Sequence, residues 1–154
     1  MKRIIKMLLV LVLCFTMVGC QKKKNTYDKT YTLKYFYIEG CSNCEYFTEN
    51  GLPLIEEEFG DHMKIITYNM DDRENVDEVR TAYDEVVNNI INFNQDDYGF
   101  GPFLVLDGYF AQLGVEDVDY FLETLIKAVN EEDLGEPMGN DTYYYFNNGK
   151  LKGE

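Results

Sequence analysis

From residue 31 onward, short apolar runs of strand length alternate with stripes of helical period. Leu33-Lys34-Tyr35-Phe36-Tyr37-Ile38 is rich in aromatics and reads as a strand that ends at Glu39-Gly40 and runs directly into Cys41. Ser42 to Phe59 reads as helical. Gly51 can close one segment and Pro53 suits the first turn of the next, so a kink or break is predicted between them, and Gly60-Asp61 ends the element. Met63 to Met70 is a nearly continuous apolar run, the pattern of an interior parallel strand. After Asp71-Asp72, with Asp72 or Asn75 placed to cap, Val76, Val79, Tyr83, Val86, Val87, Ile90 and Ile91 recur at three- and four-residue steps. They predict an amphipathic helix of about fifteen to eighteen residues.

Asn92 to Gly101 reads as a loop, and Phe103 to Leu106 as a strand. Asp107-Gly108 signals a two-residue hairpin turn, and Tyr109 to Leu113 reads as the returning strand. Val115, Val118, Leu122, Leu125, Ile126 and Val129 mark a closing helix. The order β-α-β-α-β-β-α calls for a small sheet mixing parallel and antiparallel strands, with helices on both faces. Residues 131–154 form a polar C-terminal extension outside that order. Within it, Thr142 to Phe146 reads as a strand, Asn147-Asn148-Gly149 as a turn and Lys150-Leu151 as a short return. Whether this extension adds an edge strand or lays its aromatics over the domain is left open by the pattern.

The N-terminus follows a different rule. Lys2, Arg3 and Lys6 precede an apolar stretch from Met7 to Val18, about twelve residues long, which is shorter than the twenty or so of a bilayer span. It closes with Met17-Val18-Gly19-Cys20. This segment resembles the bacterial lipoprotein signal, with Met17 where Leu is usual. A plain secretory signal and an uncleaved anchor helix are the competing readings. The resemblance implies a signal peptide at residues 1–19, a diacylated Cys20 as the new N-terminus, and a lipid-anchored protein on the extracytoplasmic face of the cell membrane. Two acyl chains anchor stably, at about 0.8 kcal/mol for each buried methylene. Residues 20–30 then form the lipidated cysteine and a flexible tether, in which Lys22, Lys23 and Lys24 would lie near lipid head groups or simply in solvent.

Charge narrows the function classes. The chain carries a formal net charge of −14, and loss of the three basic residues of the signal would leave the rest more acidic still. Nucleic-acid binding needs a basic surface to displace counterions from phosphate, so that class is rejected. The single histidine, His62, leaves no serine or cysteine with a histidine base and reads as a surface residue. The Glu56-Glu57-Glu58 run and the Asp71-Asp72-Arg73-Glu74 cluster read as solvated faces. No phosphate-binding glycine loop is present, and no cofactor is called for.

Of the four cysteines, Cys14 would leave with the signal and Cys20 would be consumed by lipid. Cys41 and Cys44 remain, in a compartment that permits disulfides. A zinc site needs four ligands and this pair lacks a second pair, so a metal-delivery role would require a further ligand that the sequence does not offer. A purely structural disulfide across so short a loop would constrain very little chain. At a strand-to-helix junction, however, Cys41 meets the free N–H groups and positive dipole end of the helix, which favour the thiolate, the reactive species. Cys44 follows one turn later on the same side and can resolve a mixed disulfide.

Strand, Gly40-Cys41-Ser42-Asn43-Cys44, helix, strand, helix, then Gly101-Pro102 opening a hairpin: this arrangement resembles the thioredoxin family over about residues 31–130. The Phe100-Gly101-Pro102-Phe103 context and the Gly40-Cys41 start are most similar to extracytoplasmic thioredoxin-like lipoproteins. The resemblance implies an α/β thioredoxin-like domain with a central mixed four-stranded sheet flanked by helices, and thiol–disulfide oxidoreductase activity through Cys41 and Cys44. It also implies a cis peptide before Pro102 and a substrate chain received by the backbone of Gly101, beside Pro102, Ser42 and Asn43. The partners so implied are exported protein thiols and disulfides and a separate redox partner. Thioredoxin itself has Trp before the first cysteine and Gly-Pro between the two. Here Gly40 and Ser42-Asn43 stand in those places, and the dipeptide helps set potential and redox direction. No residue stands out as the buried acid that assists proton transfer in thioredoxin. The competing function is a redox-silent lipoprotein of the same fold that docks a partner as an accessory module.

Overall fold

The computed structural model describes residues 25–153; the expected signal peptide, Cys20 and the first part of the tether lie outside the described residues. The chain is an α/β protein built on a five-stranded mixed sheet. Its elements in order are β1 (Tyr31–Tyr37), α1 (Ser42–Tyr46), a π-helical turn (Phe47–Gly51), α2 (Leu52–Phe59), β2 (Met63–Asn69), α3 (Val76–Asn89), β3 (Phe103–Leu106), β4 (Phe110–Leu113), α4 (Val118–Val129) and β5 (Thr142–Tyr145). The strand order is β2-β1-β3-β4-β5. β1 runs parallel to β2 and antiparallel to β3, and β4 is antiparallel to both β3 and β5.

Side-chain alternation along β1 divides the core in two. Leu33 and Tyr35 join Phe47, Ile55, Phe121 and Leu125 from α1–α2 and α4 on one face, while Phe36 joins Tyr83, Val86 and Val87 of α3 on the other. The helices therefore cover both faces, as the element order requires.

The helix after Cys41 is not broken at Gly51 but widened. Pro53 has no N–H to give and its ring crowds the carbonyl four residues back, so the ladder loosens into a π turn just before it. Gly51 serves packing there, since a Cβ at this position would sit 2.5 Å from the ring of Phe47, which is fully buried.

Several expectations need correction. The sheet has five strands rather than four, because Thr142–Tyr145 pairs along β4, which otherwise would present an open edge. Tyr144 then packs against Phe93 and Phe103 on the α3 face, and Tyr143 against Phe110 on the other. β2 is an edge strand rather than an interior one. Its apolar run is consumed by both helical layers, Ile65 packing on one cluster and Tyr68 stacking on Phe36 at 4.7 Å in the other. The β3–β4 turn takes Tyr109 as well as Asp107-Gly108, since Tyr109 N–H bonds back to Leu106 at 2.9 Å and pairing resumes at Phe110. Lys150-Leu151 makes no strand: Lys150 N–H donates to the Gly108 carbonyl at 2.8 Å and Leu151 buries its side chain. At the other terminus, Tyr27 in the segment read as tether stacks on Phe59 at 4.6 Å and donates to the Glu58 carboxylate at 2.7 Å.

Two stability outcomes follow from these contacts. Alanine favours helix over glycine by about 1 kcal/mol, yet Gly51→Ala is expected to lower stability by ~1–3 kcal/mol through overpacking against Phe47, measured by chemical denaturation. Asp141 lies buried beside Gln112 and the Glu116 backbone, and burial, reinforced by the Glu116 charge, pushes its carboxyl up to about 6. The folded chain then holds a proton that the unfolded chain, at about 3.9, gives up, so this group's contribution weakens as pH rises from about 4 to 6. Asp141→Asn is expected to flatten that slope and to be more stable than the parent at pH 7 by on the order of 2 kcal/mol.

Candidate active site

The turn that follows β1 delivers Cys41. Cys41 N–H reaches back to the Ile38 carbonyl at 3.4 Å, and Gly40 takes the positive φ of 69° that this turn demands and that a side chain would resist. Cys41 becomes the N-cap of α1: its sulfur accepts the Cys44 backbone N–H at 3.3 Å, and its carbonyl accepts the Glu45 N–H at 2.9 Å. A sulfur in this place satisfies one of the helix's orphan donors.

Cys44, one turn on, is buried, whereas Cys41 is half-buried and Ser42 and Asn43 are exposed. Both thiols are free, and the Cys44 thiol donates to the Cys41 sulfur across 2.7 Å. Burial, then the hydrogen bond to Cys41, pushes the Cys44 thiol up to about 12. The pair is therefore asymmetric: one sulfur accepts hydrogen bonds at the surface, and the other keeps its proton beneath it.

The loop before β3 closes the site from the opposite side. The Gly101–Pro102 peptide is cis, and the Gly101 carbonyl lies 3.6 Å from the Cys41 sulfur. A Cβ on Gly101 would stand 3.2 Å from the Cys44 sulfur, 3.3 Å from the Met70 methyl and 3.4 Å from the Phe36 carbonyl. Pro102 is buried, and its carbonyl accepts the Gly114 N–H at 2.9 Å. The structure thus gathers Cys41, Cys44, Gly101 and Pro102, predicted from separate parts of the sequence, into one place. Ser42 and Asn43 share the first turn with the sulfurs. Cys20 lies outside the described residues. His62 stands exposed at the start of β2, its Nδ1 3.1 Å from the Lys29 carbonyl. Among the described residues no group of three or more His, Cys, Asp or Glu is arranged to hold a metal ion, and no helix is long and apolar enough to cross a membrane.

The sequence did not point to several groups that support the pair. Tyr35 is almost wholly buried and donates its hydroxyl to the Cys44 carbonyl at 2.8 Å, while Thr48 donates to the same carbonyl at 2.8 Å and lies 3.0 Å from the Tyr35 oxygen. Burial pushes the Tyr35 phenol up to about 12, so it stays protonated and remains a donor. The available signal was the alternation of β1: Leu33 and Tyr35 share the face that the helix after Cys41 covers, and a buried phenol there needs a partner. Two grooves flank the sulfurs. One, of about 390 Å³, runs past Cys44 between Glu39, Glu45 and Glu49; the other, of about 240 Å³, is lined by Ile38, Met70, Val76, Val79 and Tyr83 together with Asp71 and Arg80.

No protein-family model, curated protein or solved structure matches this chain.

The asymmetry of the thiols has a direct readout. A brief iodoacetamide pulse on the reduced full chain at pH 7.5, followed by peptide mapping, is expected to label Cys41 at least about tenfold more than Cys44, because only the thiolate reacts. Labelling of Cys44 should climb as pH is raised toward about 12. Equal labelling at neutral pH would contradict the asymmetry.

Proposed function

We propose that this chain is a membrane-anchored thiol–disulfide oxidoreductase with a thioredoxin-like fold, exchanging disulfides with extracytoplasmic proteins through Cys41 and Cys44. The observation that carries the reading is the meeting of two sulfurs, one accepting a helix N–H and one buried with its proton, with the Gly101 carbonyl at 3.6 Å. Further support comes from the strand order β2-β1-β3-β4, with its single parallel pair and its antiparallel hairpin, and from the helix that starts at the first cysteine.

In the reductive direction, the Cys41 thiolate attacks one sulfur of a substrate disulfide. A Cys41–substrate disulfide forms and the other substrate sulfur departs as thiolate. Cys44 then loses its proton and attacks the Cys41 sulfur. The second substrate sulfur leaves, and the two electrons of the dithiol have passed to the substrate, leaving Cys41–Cys44 oxidised. The same steps run backwards oxidise a substrate dithiol. In either direction a thiol or disulfide partner must restore the starting state. The high proton affinity of Cys44 keeps it idle until the mixed disulfide removes the hydrogen-bond acceptor above it.

The backbone of Gly101 gives an incoming chain a place to lie. Phe100 beside it is 60% exposed, and with the groove toward Val76 it offers contact area for a protein substrate next to the reacting sulfur. The lipid at Cys20 would hold this domain at the outer face of the cell membrane. β1 starts near Tyr27 and ends toward Cys41, so the sulfurs sit at the opposite end of β1 from Tyr27.

The test is turnover of a protein disulfide such as insulin by the detergent-solubilised full chain with a dithiol reductant. Turnover is expected with the unmutated chain and is expected to vanish in Cys41→Ser. Cys44→Ser should instead accumulate a covalent complex with substrate that a small thiol releases. An inert Cys41–Cys44 disulfide with no turnover would contradict the proposal and favour a docking module.

A further inference from the structure

The connector between α3 and β3 is not held by regular structure, yet it carries the Gly101 backbone to within reach of both sulfurs. Tyrosines reach it from elsewhere in the fold. Tyr144, on β5, is buried and donates its hydroxyl to the Asp97 carboxylate, while its ring packs on Phe93 of the same connector at 4.9 Å. Tyr83, on α3, is likewise buried and accepts the Gly99 N–H at 3.1 Å. Tyr98 donates to Asp84 at 2.5 Å and packs edge-on against Tyr83 at 5.0 Å. Apart from an antiparallel bridge at its start, Ile90 to Phe146, and a short 3-10 turn (Gln95–Asp97), the connector is irregular, and such a segment would otherwise sample many conformations. The fifth strand, which lies beyond the β-α-β-α-β-β-α order, therefore touches the segment that completes the site.

We propose that Tyr144 and Tyr83 are positioning residues for the exchange reaction, and that β5 holds the Gly101 loop in place through the Tyr144–Asp97 hydrogen bond. The inference rests on the function proposed above. Neither phenol meets substrate. Each fixes one point on the connector, Asp97 and Gly99, so that the Gly101 carbonyl remains over Cys41 and an incoming chain finds a set backbone rather than one it must order on binding. Ordering cost avoided in this way appears as affinity for a protein substrate, not as sulfur reactivity.

Tyr144→Phe deletes the hydroxyl and keeps the ring. Asp97→Ala breaks the same bond from the loop, without touching the sheet, so misfolding of one variant does not remove the test. In the full chain, both are expected to raise KM for a peptide disulfide by about tenfold, the loss expected for a hydrogen bond to a charged group, with a smaller change in kcat. Asp97→Asn, which keeps an acceptor, should recover most of that loss. The double variant should be no worse than either single one. Alkylation of Cys41 by iodoacetamide should stay within about twofold of the parent, and amide exchange at Gly99 to Gly101 should accelerate. Parental KM and parental amide exchange in folded Tyr144→Phe and Asp97→Ala would overturn the inference while leaving the proposed function intact. A parallel loss of Cys41 alkylation would also overturn it, since the effect would then act on the sulfur. Absence of turnover in the unmutated chain defeats the function itself and this inference with it.

Discussion

The site depends on one close approach: the backbone of Gly101 lies against two sulfurs, and it does so because the residue has no side chain. A methyl group there would press on the Cys44 sulfur, the Met70 methyl and the Phe36 carbonyl together, each at 3.2 to 3.4 Å. Those neighbours come from α1, the residue after β2, and β1; the Met70 methyl can swing aside, but the Phe36 carbonyl and the Cys44 sulfur are held by β1 and the first helical turn. The central strand, the first helix and the loop before β3 thus meet at this contact. Around it stand Pro102 behind the loop and the Tyr35–Thr48 pair beneath the Cys44 carbonyl.

Where the sequence carried a local physical signal, it was a good guide. Gly40 before Cys41 announced a turn into a helix, the period of Val79, Tyr83 and Val86 marked α3, and Phe103 to Leu106 read as a strand and is one. Where the outcome depended on what lies across the fold, the chain was silent. An apolar run such as Met63 to Met70 is the same whether a strand has neighbours on both sides or helices on both faces. The aromatics of 142–146 could equally have covered a face or closed an edge. The π turn needed both Pro53 and the packing of Phe47 against Gly51, and only the first is visible locally. Cys41, Cys44 and Pro102 could be singled out as candidates because their order resembles a family pattern, and the structure brings them together. Tyr35, Thr48, Tyr83 and Tyr144 could not be, because a tyrosine in a strand or helix looks the same whether its hydroxyl faces solvent or supports a neighbour.

Tyrosine is a recurrent solution in this chain, with 13 copies and no tryptophan. Its rings fill both core layers, and several hydroxyls find acceptors in an acidic chain rich in carboxylates, as Tyr27 does at Glu58, Tyr98 at Asp84 and Tyr144 at Asp97. Burial raises the phenols at Tyr83 and Tyr143 to about 12, so these groups remain neutral across the physiological range. The acidic composition and the aromatic core are in this sense one device: carboxylates keep the surface soluble and also receive the hydroxyls of the rings beneath.

If Cys41 and Cys44 exchange electrons as proposed, they form a reversible dithiol–disulfide couple, which an equilibrium redox titration reads out. The full chain is equilibrated in glutathione buffers spanning about −120 to −300 mV, quenched with acid, and the peptide bearing both cysteines is weighed. A single two-electron transition within that span, with this peptide losing and regaining two hydrogens, is the expected result. Two thiols that never join, or a disulfide that no buffer in the series reopens, would contradict the account.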